Sequence, residues 1–182
     1  MKRSERALEL YRENLEKLPA YDDYIYCQSA EPVGHLRFGT NGRVDSNGCG
    51  AVALYNVMKH IGKEQDFCDV IRDEMQLGML WMGGRFGTKP WTLGRYFMHY
   101  KIPFQKYKSP NDFKAALLTH RIGIVCTWNR HVRDGMHFYC VYYSDKENKY
   151  SAINYAQSEN NTTEICLYEI GNLRFVNGYA IK

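Results

Sequence analysis

The run Gly-Cys-Gly-Ala-Val-Ala-Leu-Tyr-Asn-Val-Met-Lys-His-Ile-Gly, residues 48–62, constrains the fold more than any other part of the chain. It is apolar nearly all round, and Gly62 stands where a glycine commonly ends a helix. A helix apolar on every side has no face to give to water, so it must be central and the rest of the chain must enclose it. At 182 residues the chain is long enough to do this within one domain without staples.

The enclosing segments divide into two kinds. Ser4 is expected to cap a helix in which Leu8, Tyr11, Leu15 and Leu18 recur at three- and four-residue steps, ending near Pro19. Residues 28–48 are rich in Gly, Ser, Asn and Asp and read as a long loop, a feature that is uncommon in compact domains and often functional. A second helix is expected over 66–77, with Phe67, Val70, Ile71 and Met75 inward. Thr88 and Pro90 are expected to open a third, through Tyr100, and Ser109-Pro110-Asn111-Asp112 a short one ending near Thr119. From Ile122 onward the pattern changes to short runs of β-branched and aromatic residues: Ile122–Trp128, Met136–Tyr143, Lys149–Asn154, Glu164–Ile170 and Arg174–Ile181. Helices first and strands after predict an α+β fold with an antiparallel sheet. The expected organisation is one domain over 1–182, with the N-terminal helix and lead-in in 1–24, a mainly helical half in 25–121 and a sheet half in 122–182.

Charge and cysteine usage narrow the function classes. The net charge of +4 comes without a dense Lys/Arg run, so nucleic acid is not an expected partner. No stretch of about 18 apolar residues exists, so no membrane span is expected. The charged start MKRSERALELYRENLEKL does not read as a signal peptide. A cytoplasmic protein with reduced thiols is the simplest expectation, with export lacking a cleaved signal left open. The six cysteines form no Cys-x-x-Cys pair, and His35, His60, His99 and His120 have no metal-ligand spacing, so neither metal nor cofactor is expected.

Chemistry concentrates on three positions. Cys49 sits between two glycines at the start of the buried helix, where unpaired N–H groups and a partial positive charge favour thiolate. Gly48 and Gly50 lack side chains, so a substrate backbone can approach, and the N–H of Cys49 can face a developing oxyanion. His137 begins a strand after a glycine turn, a rigid seat for a base. Asn154 closes the next strand, and a hairpin brings strand ends together, so its carboxamide oxygen can accept from one ring nitrogen and orient the other towards Cys49. Asn47, Gly48, Gly50 and Met136 are expected to line the substrate cleft. His131, in the polar turn before the His137 strand, is a rival that can reach the cleft rim. Cys68, Cys126, Cys140 and Cys166 read as buried, inert thiols.

Four ordered segments between Tyr26 and Asn154 resemble the bacteriocin-processing branch of the papain-like cysteine peptidases. Tyr26-Cys27-Gln28-Ser29 resembles its Tyr-x-Gln-Ser opening, and Asp45 to Leu54 its Gly-Cys-Gly nucleophile helix. Gly87-Thr88-Lys89-Pro90 resembles a Gly-Thr-Ser-Pro loop, and Gly135-Met136-His137-Phe138 a Gly-His-Phe strand. The resemblance implies a papain-like fold, a Cys49–His137–Asn154 triad and Gln28 as oxyanion donor, with Asn41 and Asn47 as alternative donors. The chain departs from the pattern at Ala51, where the family has proline, at Asn154-Tyr155, where it has Asp-Pro, and at Arg43, where papain carries its glutamine.

Two functions follow as expectations: a thiol hydrolase cutting a peptide or amide bond in a peptide or protein substrate, or a catalytically silent papain-like module that binds a peptide or protein. The sequence holds no transporter segment, and double-glycine leader cleavage is not assigned. Nothing in the sequence bears on oligomeric state.

Overall fold

A computed structural model of the chain describes residues 2–129, 135–146, 148–155, 163–165, 170 and 174–182. The central helix, α3 (Cys49–His60), is buried at every position from Cys49 to Met58, as an apolar surface on all sides requires. Around it lie α1 (Arg3–Lys17), the single turn α2 (Val44–Asn47), α4 (Phe67–Gln76), α5 (Leu93–His99) and α6 (Pro110–His120). Two short strands, β1 (Arg37–Phe38) and β2 (Gly42–Arg43), form a small antiparallel pair.

The main sheet has β3 (Phe104–Tyr107), β4 (Ile122–Trp128), β5 (Met136–Ser144), β6 (Lys149–Ile153), β7 (Thr163–Glu164) and β8 (Phe175–Ile181). Its order is β3-β8-β4-β5-β6-β7, with every pair antiparallel. Side chains alternate across it. Ile124, Cys126, Phe138 and Cys140 face the core that includes α3, while Val125, Tyr139 and Val141 join Phe113 and Leu117 of α6 in a second cluster. The sheet is thus covered on both faces, and β4 reads as an unbroken apolar run. Among the described residues no helix is long and apolar enough to cross a membrane.

Several expectations change. Ser4 lies inside α1; the cap is at Lys2, whose N–H donates to the Glu5 carboxylate at 2.8 Å. Leu8 is exposed, and the inward stripe of α1 runs through Ala7, Leu10 and Asn14 instead. Asn14 can turn inward because its carboxamide exchanges two 2.9 Å hydrogen bonds with the backbone of Arg37. The expected loop 28–48 contains β1, β2 and α2, all too short to show periodicity. The third helix starts at Leu93, because the Pro90 carbonyl accepts from Asn177 Nδ2 and Tyr179 Oη of β8 rather than from a following turn. Strand β3, unexpected, extends the sheet from within the helical half.

Two buried clamps aim the lead-in segment at α3. Asn56 Oδ1 accepts the Ile25 N–H at 2.9 Å, and Asn56 Nδ2 donates to the Ile25 carbonyl at 2.9 Å. Tyr55 Oη donates to the backbone carbonyls of Tyr21 and Asp23. These fix the stretch that delivers Gln28.

Candidate active site

Cys49, a residue only 7% exposed, opens α3 in a cleft of about 630 Å³. Gln28, Met136, His137 and Asn154 line the same cleft, so segments distant in sequence meet there. The β5–β6 ladder ends at the pair Cys140 and Ile153. Beyond that end, the backbone N–H groups of Phe138 and Gly50 lie where they favour the thiolate form of Cys49.

His137 Nε2 bonds the main-chain carbonyl oxygen of Asn154. A carbonyl only accepts, so Nε2 carries the proton and Nδ1 the lone pair. The sequence-based expectation had the Asn154 carboxamide in that role. The carboxamide is engaged elsewhere: Oδ1 accepts the Gln28 N–H at 3.0 Å, and Nδ2 donates to Gln28 Oε1 at 3.1 Å. Asn154 sits at φ +62°, a left-handed conformation that asparagine tolerates, and this turn aims its carbonyl at the imidazole. Gln28 in turn donates one amide proton to the Asp45 carbonyl at 2.9 Å, leaving its second proton for an acceptor in the cleft.

Burial dominates the electrostatics. It pushes the Cys49 thiol up to about 11, with a smaller push from Glu74, against the lowering effect of the Phe138 and Gly50 N–H groups. Burial also holds the His137 imidazole below its ordinary 6.5, with the Asn154 carbonyl opposing. The resting pair is thus a neutral thiol and a neutral imidazole. No lysine or arginine is among the described residues lining the cleft.

The cleft continues along Ser46, Asn47, Thr88, Met136 and Phe138. Asn47 belongs to this extension but turns its amide to the Arg85 carbonyl at 2.8 Å. Asn41, the other alternative donor, turns to the Met82 carbonyl at 3.4 Å, so both tie down the 82–85 loop. Gly48 and Gly50, expected to open the cleft to substrate, also have an inward reason to be bare. A side chain at Gly48 would meet Val44, and one at Gly50 would overlap the Thr88 hydroxyl. His131 and Cys166 lie outside the described residues; Cys68, Cys126 and Cys140 are buried.

Sequence reasoning missed Thr88 and Glu74. Thr88 lies in the Gly-Thr-Lys-Pro segment, read as a loop opening a helix and not as a site residue. Glu74 falls three residues after Ile71 and four after Val70, on the inward stripe of α4, a spacing that could have revealed it. A separate hollow of about 520 Å³ near Tyr55, Lys59, Asp69 and Arg72 holds no nucleophile, and its cations are paired with carboxylates. Among the described residues no group of three or more His, Cys, Asp or Glu side chains is placed to hold a metal ion.

This architecture is that of the peptidase domain of Streptococcus ComA, a bifunctional ABC transporter of a quorum-sensing pathway. The two superpose with a TM-score of 0.55 at 16% identity, over 80% of this chain and 98% of that one. A double-glycine-motif protease from an AMS/PCAT transporter, solved with its leader peptide, aligns at TM-score 0.48 and 15% identity, over 74% of this chain and 83% of that one. No family profile matches the chain, and no curated protein does. The fold is that of the papain-like peptidase domains.

Proposed function

We propose that the chain is a cysteine-peptidase-like thiol hydrolase acting on a peptide or amide bond. The observation that carries this reading is the single cleft lined together by Cys49, His137, Gln28 and Asn154. Because the resting pair is neutral, the proton moves from Sγ to Nδ1 of His137 as the sulfur attacks the carbonyl carbon. His137 passes that proton to the leaving amine, and water then cleaves the thioester. The second amide proton of Gln28 and the N–H of Cys49 supply the oxyanion donors. Asn154 holds the ring tautomer through its main chain and Gln28 through its side chain. The substrate is a peptide or protein.

One observation favours a second reading, a silent module that binds a peptide. The thiol is deeply buried and pushed up to about 11, and among the described residues lining the cleft no lysine or arginine is present to draw out the proton. Labelling with iodoacetamide across pH, read by peptide mapping, alongside cleavage of a fluorogenic peptide library, separates the two. The hydrolase reading expects Cys49 to label ahead of the other cysteines. It also expects cleavage to fall as pH drops through a His137 value below 6.5, where the imidazole becomes protonated and ceases to be a base. Equal, slow labelling of all thiols with no cleavage would establish the binding module instead.

A further inference from the structure

Glu74 is fully buried on the inward stripe of α4, among Phe67, Val70, Ile71 and Met75. Its Oε2 accepts the Thr88 hydroxyl at 2.7 Å, whereas Oε1 has no hydrogen-bond partner among the described residues. No cation is paired with it there. An interior carboxyl satisfied on one side only is costly, and an apolar residue would complete this stripe without that penalty. Groups kept at such expense concentrate at functional sites.

The contacts lead from Glu74 to the nucleophile. The Thr88 hydroxyl that Glu74 accepts occupies the space a side chain at Gly50 would need, so Thr88 presses on the first turn of α3, one residue past Cys49. Thr88 also lines the cleft extension with Cys49, Gly87 and Met136. The loop carrying it is held from behind by the bonds of Asn177 and Tyr179 to the Pro90 carbonyl. We infer that Glu74 is a positioning residue for the Cys49 thiol: through Thr88 it fixes the first turn of α3, and its charge state governs how readily the sulfur releases its proton. The consequence for catalysis rests on the hydrolase reading; the effect on the thiol does not.

Burial pushes the Glu74 carboxyl up to about 8, so it is neutral at pH 7 and becomes a carboxylate in mildly alkaline solution. The titratable groups that feel it are Cys49 from α3 and Tyr96 from α5. Its neighbour Asp73 is engaged by Tyr100 and Arg72, and Lys89 of the Thr88 loop donates to the Gly78 carbonyl. Ionised Glu74 therefore opposes a thiolate at Cys49, and among the described residues no cation pairs with it to offset this.

The test is the rate of iodoacetamide labelling of Cys49 from pH 6 to 10 in the full chain. Glu74→Gln keeps the shape and an acceptor for Thr88 but cannot ionise. In the wild type the rise of rate with pH should weaken near pH 8, where Glu74 ionises. In Glu74→Gln the rise should continue unbroken, giving roughly tenfold faster labelling at pH 9.5, as one unit of thiol pKa implies. Superimposable profiles would overturn the inference, because a purely structural Glu74 changes the melting temperature without moving the ionisation of a thiol. If Glu74→Gln does not fold, the wild-type profile still decides: a straight rise through pH 8 rejects the inference. Thr88→Val, which deletes the hydroxyl, should lower the preference for Cys49 over the other cysteines; unchanged preference rejects the Thr88 link. The hydrolase reading fails separately, if peptide cleavage is absent while these profiles differ as expected.

Discussion

Replacing His137 with alanine is expected to slow cleavage of a fluorogenic peptide library by about a thousandfold at pH 7, within the range a positioned base contributes. The thiol is held near 11, so at pH 7 only about one sulfur in ten thousand is ionised without help. His137 overcomes that by taking the proton during attack, which frees the reaction from the resting ionisation of the thiol. The shape of the pH profile therefore carries more information than its height. The wild type should be nearly level between pH 7 and 8. His137→Ala should climb about tenfold per pH unit from 6 to 8, because solvent must then ionise the sulfur. The substitution also removes the stacking of His137 on Tyr139, so melting temperatures must be compared to confirm that both proteins are folded. Parallel profiles in the two proteins would mean that His137 is not the base, and the hydrolase reading would lose its mechanism.

The parts of this molecule readable from sequence are those whose signal is local. The all-round apolar run reads as a buried helix and forms one at Cys49–His60, and the β-branched run Ile122–Trp128 reads as a strand and is one. Ser109-Pro110 carries its own cap chemistry, and Ser109 does accept from the Asp112 N–H. Strand β3 was hidden for the opposite reason. Phe104-Gln105-Lys106-Tyr107 has no strong strand pattern of its own; it is a strand because Gly178–Ile181 pairs with it from the far end of the chain. The candidate site divides in the same way. A cysteine at a helix tip and a histidine at a strand start announce themselves by type and place. Which atom of Asn154 meets the imidazole depends on a left-handed turn that residue type permits but does not dictate. The two glycines beside Cys49 carry a second reason for their bareness, because it can serve packing as well as access. The packing reason becomes visible only with the neighbours, Val44 and Thr88.

Asn154 offers the sharpest separation of main-chain from side-chain work. Its carbonyl holds the imidazole, and its carboxamide holds Gln28, so the two duties can be removed unequally. Asn154→Gly deletes the carboxamide but keeps the left-handed turn. The buried Gln28 N–H loses its acceptor, costing about 2 kcal/mol of stability. Gln28 then loses its anchor in the cleft, and cleavage should drop about a hundredfold, as for a misplaced oxyanion donor. The acid limb set by His137 should stay where it is, since its carbonyl partner remains. Asn154→Ala deletes the same contacts and adds the strain of a left-handed alanine, about 1 kcal/mol more. That strain favours a turn that swings the carbonyl off Nε2, so the alanine variant should be the less active of the two. Thermal denaturation and a pH–rate profile of both variants check these outcomes. If the acid limb of Asn154→Gly moved as far as that of Asn154→Ala, or the two variants were equally impaired, the carboxamide would be the imidazole's working partner and the main-chain assignment would be wrong. Asn154→Asp gives the opposite sign: a carboxylate near the ring favours its protonated form, so the acid limb should move to higher pH.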